Sequence, residues 1–114
     1  MGLIRQNEGT ADSPGPGVHR QTYASRQTGA GALTTRVVVF EPGASNIHWH
    51  KIEEAMLVLE GEGKAVLGDQ ELDIRAGDTL LGPANVRHGF INTGTVPLKV
   101  AVAFPAVDVE SFPA

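Results

Sequence analysis

The sequence contains no cysteine. That excludes a disulfide scaffold, thiolate zinc ribbons, iron–sulfur clusters and cysteine nucleophiles together. Aromatic residues are scarce, at 5%, with one tryptophan and one tyrosine. No apolar run approaches the length a membrane-crossing helix needs. Basic residues are few as well: 9 Lys and Arg against 13 Asp and Glu leave a formal net charge of -4. Without a patch of Lys and Arg to displace counterions from a phosphate backbone, no nucleic-acid partner is expected. The opening MGLIRQNEGTADSPGPG has no apolar signal-peptide core, and Gln6 stands where the myristoylation pattern requires Ser or Thr. No membrane partner is therefore expected, and the expectation is a soluble, cytoplasmic protein. Helical periodicity is also missing from every stretch of ten or more residues.

What remains is a chain of 114 residues, 41% hydrophobic and 19% charged, the balance and size of one globular domain. Residues 1–32 read as a flexible or edge-pairing N-terminal segment, because Pro14-Gly15-Pro16-Gly17 and Gly29-Ala30-Gly31 oppose helices and interior strands. Within it, residues 18–26 carry Val18 and Tyr23 and can add to a sheet edge, in their own chain or a partner's. From 33 to 114 short apolar, β-branched runs alternate with turns: 33–40, 47–50, 55–59, 64–67, 71–74, 79–81, 86–91 and 96–104. Gly68-Asp69 suits a two-residue hairpin. Strands so short and so evenly spaced predict an all-β sandwich or a small barrel, with closure removing exposed edges.

The four histidines are His19, His48, His50 and His88. His19 sits in the Gly/Pro-rich segment, where a solvent-exposed position without a role is expected. On an extended chain His48 and His50 point to one face and Trp49 to the other. Two imidazoles are then within reach of one ion, a carboxylate from the neighbouring Glu53-Glu54 pair can complete the site, and His88 on a later strand can supply a fourth group.

This arrangement resembles the cupin superfamily, in its small single-domain form. The first cupin motif, G(X)5HXH(X)3-4E(X)6G, reads here as Gly43, ASNI, His48-Trp49-His50, KIE, Glu54, AMLVLE, Gly61. The second, G(X)5PXG(X)2H(X)3N, reads as Gly77, DTLLG, Pro83-Ala84-Asn85, VR, His88, GFI, Asn92. The first spacer is one residue short, and Asn85 replaces a glycine. Asn is the residue that best tolerates a positive φ, so the turn can survive.

The resemblance implies a double-stranded β-helix, or jelly-roll, barrel over residues 33–114. It also implies that His48, His50, Glu54 and His88 bind one divalent metal ion. Three imidazoles and a carboxylate suit Fe, Mn, Ni, Cu or Zn and leave open positions. Strand parity places Met56 on the face of Glu54 and Phe90 on that of His88, with Phe104 on the last long strand, facing inward or against a partner. Each is a candidate for an apolar pocket wall, with ordinary core packing the preferred reading. Arg36 is a candidate for a carboxylate-bearing substrate or for the solvated surface, and Arg87 is expected to point outward. No Ser/His/Asp set or phosphate-cradling loop offers other chemistry. The expectation is a metal-binding enzyme, dioxygenase-like, acting on a small-molecule substrate. The alternatives are a metal-dependent isomerase or lyase of a sugar acid, and a non-catalytic small-ligand-binding module. A homodimer is expected from the apolar 96–104 run and the N-terminal segment.

Overall fold

The computed structural model describes residues 2–114. Eleven strands build two antiparallel sheets, and no α-helix occurs among the described residues. The strands are β1 (Thr10–Gly15), β2 (Val18–Thr22), β3 (Thr34–Phe40), β4 (Ser45–Trp49), β5 (Glu54–Glu60), β6 (Glu62–Leu67), β7 (Gln70–Arg75), β8 (Thr79–Gly82), β9 (His88–Ile91), β10 (Leu98–Phe104) and β11 (Phe112–Pro113). One sheet runs β1-β2-β3-β10-β5-β8, the other β11-β4-β9-β6-β7. Facing each other, they form a jelly-roll.

Period-two patterning sets the core. On β10, Leu98, Val100, Val102 and Phe104 are buried, while Lys99, Ala101 and Ala103 face out. Antiparallel register places Val100 between Val38 and Val58, so three β-branched side chains share one inner surface. Phe40 reaches across to Phe90 of the other sheet, edge to face at 6.0 Å between centroids. Glu54 has the parity of Met56 and Val58 on β5. The sheet that packs the core therefore carries a carboxylate inward at its end.

Two elements lie where the sequence offers little signal. Residues 10–15 form a strand despite Pro14, and they do so on the sheet edge, where a missing N–H costs no ladder bond. Through β2 this hairpin joins β3, and Val18 is fully buried. The second element, β11, is two residues long and contains Pro113. At the other boundaries the strands keep the expected order, shifted by one or two residues.

Asn85 has φ 67°, the one positive φ at a non-glycine residue among those described. The motif turn thus keeps its left-handed conformation with Asn in place of Gly. Gly89 serves a different need. A Cβ there would collide with the Asn46 carbonyl of β4, so its hydrogen atom lets β4 and β9 approach and brings His48 opposite His88. Gly43 also has a positive φ, but open space around it. Chemical denaturation should show Gly89→Ala losing about 3 kcal/mol or more, and Gly43→Ala losing about 1–2 kcal/mol. Equal losses would mean that the close approach of β4 and β9 contributes nothing.

Candidate metal centre

Four side chains from three strands and one connecting segment converge at one end of the barrel. His48 comes from β4, His50 follows directly after it, Glu54 opens β5 and His88 opens β9. His50, Glu54 and His88 are 2%, 4% and 0% exposed, and only His48 looks towards solvent. One ligand atom from each lies within 4.8 Å of the others. The Nε2 atoms of His88, His50 and His48 stand 2.6, 3.2 and 3.7 Å from Glu54 Oε1.

The far sides of two rings decide what this cluster can hold. His50 Nδ1–H donates to the Glu110 carbonyl at 2.7 Å, and His88 Nδ1–H donates to the Val86 carbonyl at 2.8 Å. A carbonyl only accepts, so both Nδ1 atoms carry the proton, and in the neutral rings Nε2 is left with a lone pair. Those lone pairs face a carboxylate. Nothing but a proton or a cation reconciles them. His50 Nε2 is buried with no hydrogen-bond partner among the described residues, which fits a ligand atom for an ion. The cluster could hold a metal ion, and its mix of nitrogen and oxygen donors suits a divalent transition metal. The carbonyls play the outer role usual for metal-binding histidines.

Electrostatics agree with the geometry. Burial opposes ionisation of Glu54, but the imidazoles of His48, His50 and His88 around it, the last within hydrogen-bond distance, outweigh burial and hold its carboxyl far below the usual range. Burial likewise opposes charge on His88, and the hydrogen bond to Glu54, helped by the Val86 carbonyl, raises its pKa above 6.5. Gly82, opposite Glu54 in the β5–β8 pairing, leaves room for the His88 ring, since a Cβ there would sit 3.0 Å from it.

The cluster opens into a cavity of about 370 Å³. Arg36 and Phe104 line it, with the Arg36 guanidinium 5.1 Å from the Phe104 ring centroid. Arg36 is half-buried, and its Nε has no hydrogen-bond partner among the described residues. The solvated alternative for Arg36 is therefore set aside: it shares inward parity with Val38 on β3. Its pKa is lowered, first by burial and then by Arg20 alongside, with Glu54 and Asp12 opposing. Met56 and Phe90, candidates for the pocket wall or for the core, lie deeper than this cavity. They border a separate void of about 30 Å³ behind His48 and Glu54 and pack in the core.

Sequence reasoning missed Arg20, which also lines the cavity and grips Asp12 through two hydrogen bonds of 2.8 and 2.6 Å. Its two-residue offset from buried Val18 was the available signal. It missed Ser111, Phe112 and Pro113 too. His19 is exposed and pairs with Glu41. Trp49 faces away from the ligands and stacks on Phe112, while Arg87 is exposed and donates to the Gly68 carbonyl.

A family model described as "Cupin domain" matches residues 36–104. An uncharacterized protein of Methanocaldococcus jannaschii, MJ1618, is 38% identical over 48 residues, 42% of this chain and 38% of its own. The chain thus spans well under half the length of that curated relative. Among solved structures, the polyketide cyclase RemF from Streptomyces resistomycificus superposes with a TM-score of 0.84 at 20% identity, over 100% of this chain and 85% of its own. KdgF from a Halomonas species gives 0.77 at 21% identity, over 95% and 96%. The oxalate decarboxylase of Lactobacillus farciminis gives 0.83 at 19% identity, over 94% and 34%. These likenesses establish the fold. Among the described residues no helix is long and apolar enough to cross a membrane.

The shifts give the metal-free protein a defined pH response. A lowered carboxyl pKa stabilises the fold above about 4.5 and loses that contribution as pH falls towards the folded-state value. A raised imidazole pKa stabilises below 6.5 and loses its contribution as pH rises through the folded-state value above it. Thermal melts of chelator-treated protein should separate wild type from Glu54→Gln most widely between these two limits and less on either side. A gap independent of pH would contradict the ion-pair assignment.

Proposed function

The chain belongs to the cupin domain family, and on that premise we propose that it is an enzyme using a divalent metal held by His48, His50, Glu54 and His88 to act on a small organic carboxylate. The observation that carries the substrate class is Arg36. It is a half-buried cation with a buried, unpartnered Nε in the same cavity as the ligand cluster. Arg20, by contrast, is already neutralised by Asp12. A buried donor left without an acceptor is costly, and a ligand carboxylate or enolate would satisfy it with a charge-assisted bond.

The bound ion would supply Lewis acidity and open coordination positions. The protein's own residues do the rest. Glu54 brings the negative charge that offsets the ion. The Glu110 and Val86 carbonyls hold two imidazoles in the ligating tautomer. Arg36 orients the anionic end of the substrate, and Phe104, Val38 and Val102 keep water from the other side of the cavity. The polar Arg20–Arg36 wall moves the reading away from a purely hydrophobic substrate. Dioxygenase-like turnover and isomerase or lyase turnover both fit this site, and oxygen uptake separates them.

A homodimer belongs to the proposal, supported by Leu57, Leu59 and Leu81, which are 41%, 41% and 51% exposed on the six-stranded sheet. A soluble, cytoplasmic setting is kept on the same footing.

Protein loaded with Fe, Mn, Ni, Cu or Zn is to be assayed on small carboxylates and their neutral amides, with an oxygen electrode in the cell. Carboxylates should be preferred, and Arg36→Leu should raise KM by about 10–100-fold with metal content intact. His88→Ala should lose most of its metal by elemental analysis. Full occupancy in His88→Ala, or equal use of amides and acids, would overturn the assignment. Tight metal without turnover on any substrate would favour the binding module.

A further inference from the structure

The last residues of the chain form part of the cavity without being part of the cupin motifs. After β10 the chain returns across the barrel mouth. Val109 packs against the core edge, and the Glu110 carbonyl accepts the His50 Nδ1–H. Phe112 and Pro113 then pair with Trp49 and His48 of β4. The Phe112 ring lies on the indole of Trp49, 4.4 Å between centroids and 21° from parallel. Trp49 projects from the opposite face of the strand that carries His48, so this stack grips the back of the ligand strand.

The Lys51 ammonium adds a contact 5.2 Å from the Phe112 ring centroid, and the remaining ties are slight. The β11 ladder is two residues long, and Pro113 has no N–H to give it. The Arg26–Asp108 ion pair is open to solvent, with side chains 66% and 80% exposed, where such pairs contribute little.

We propose that residues 108–113 act as a positioning strap. The Glu110 carbonyl fixes the His50 ring with Nδ1 protonated and Nε2 directed at Glu54, and the Phe112–Trp49 stack is the clamp that keeps the carbonyl in place. The positioning itself needs no metal. Its consequence for affinity rests on the reading of His50 as a ligand. Phe112 is thereby a positioning residue, acting on the centre from outside it through the backbone two residues before it.

Two measurements on the full chain test this. Nitrogen-15 NMR of the metal-free protein should show a His50 Nδ1–H protected from exchange with water. Phe112→Ala should lose that protection, and Phe112→Tyr should keep it. Calorimetric titration with Zn²⁺ should show Phe112→Ala weaker by about 10–100-fold, the usual cost of losing an outer-shell partner, and Phe112→Tyr close to wild type. Should Phe112→Ala fail to fold, Phe112→Leu keeps apolar bulk without the stacked ring and carries the same comparison.

A wild-type His50 with no protected Nδ1–H overturns the proposal without recourse to any variant. So does a folded Phe112→Ala that retains both the protected proton and the affinity. A wild type that binds no Zn²⁺ but shows the variant-dependent His50 proton refutes the metal reading and leaves the strap standing.

Discussion

Oε1 of Glu54 is the point around which the open end of the barrel is organised. A carboxylate this deeply buried stays ionised only if opposite charge or strong donors surround it, and three imidazole Nε2 atoms do so within 3.7 Å. Two of those rings have already committed their other nitrogen to backbone carbonyls. The arrangement is stable with a proton or a cation among the four groups and strained without one. That single electrostatic requirement links the fold, the local pKa values and the capacity for a metal.

The fold meets the requirement through a few short-range devices. Gly89 lets β4 and β9 close up so that two ligands face each other across a ladder. Gly82 leaves room for an imidazole beside Glu54. Inward parity on β5 brings the carboxylate to the face that Met56 and Val58 bury. The core below, with Phe40 on Phe90, holds the sheets apart at a fixed spacing, so three of the four ligands rest on strands and His50 directly follows one. Only the C-terminal segment adds a wall that is lightly attached.

Much of this was legible in the sequence. His48, Trp49 and His50 alternate faces as a strand demands, and the two glycine-bounded motifs carry Glu54 and His88 at spacings that the barrel converts into proximity. Asn85 was readable as a left-handed turn residue because its side chain tolerates that conformation. Depth was not readable. Parity gives the face of a sheet but not the distance from its rim, so pocket wall and core packing both stayed open for Met56 and Phe90, which sit in the core below the ligands. β1 was hidden by Pro14 and the glycines, which hinder an interior strand but not an edge, whereas the edge-pairing segment that became β2 was legible. Arg20 lies on β2, but nothing in its residue type announced that it would line the cavity. The Glu110 contact is made by a backbone carbonyl, which any residue presents, so no residue type could have announced it.

The most direct measurement is a crystal structure of protein grown with the candidate metals, with diffraction recorded on both sides of each absorption edge. The account predicts one anomalous peak per chain, about 2.0–2.3 Å from Nε2 of His48, His50 and His88 and from a Glu54 oxygen. A metal-saturated crystal with no peak there, or with a peak bound elsewhere while Glu54 and His88 remain paired only to each other, would contradict it.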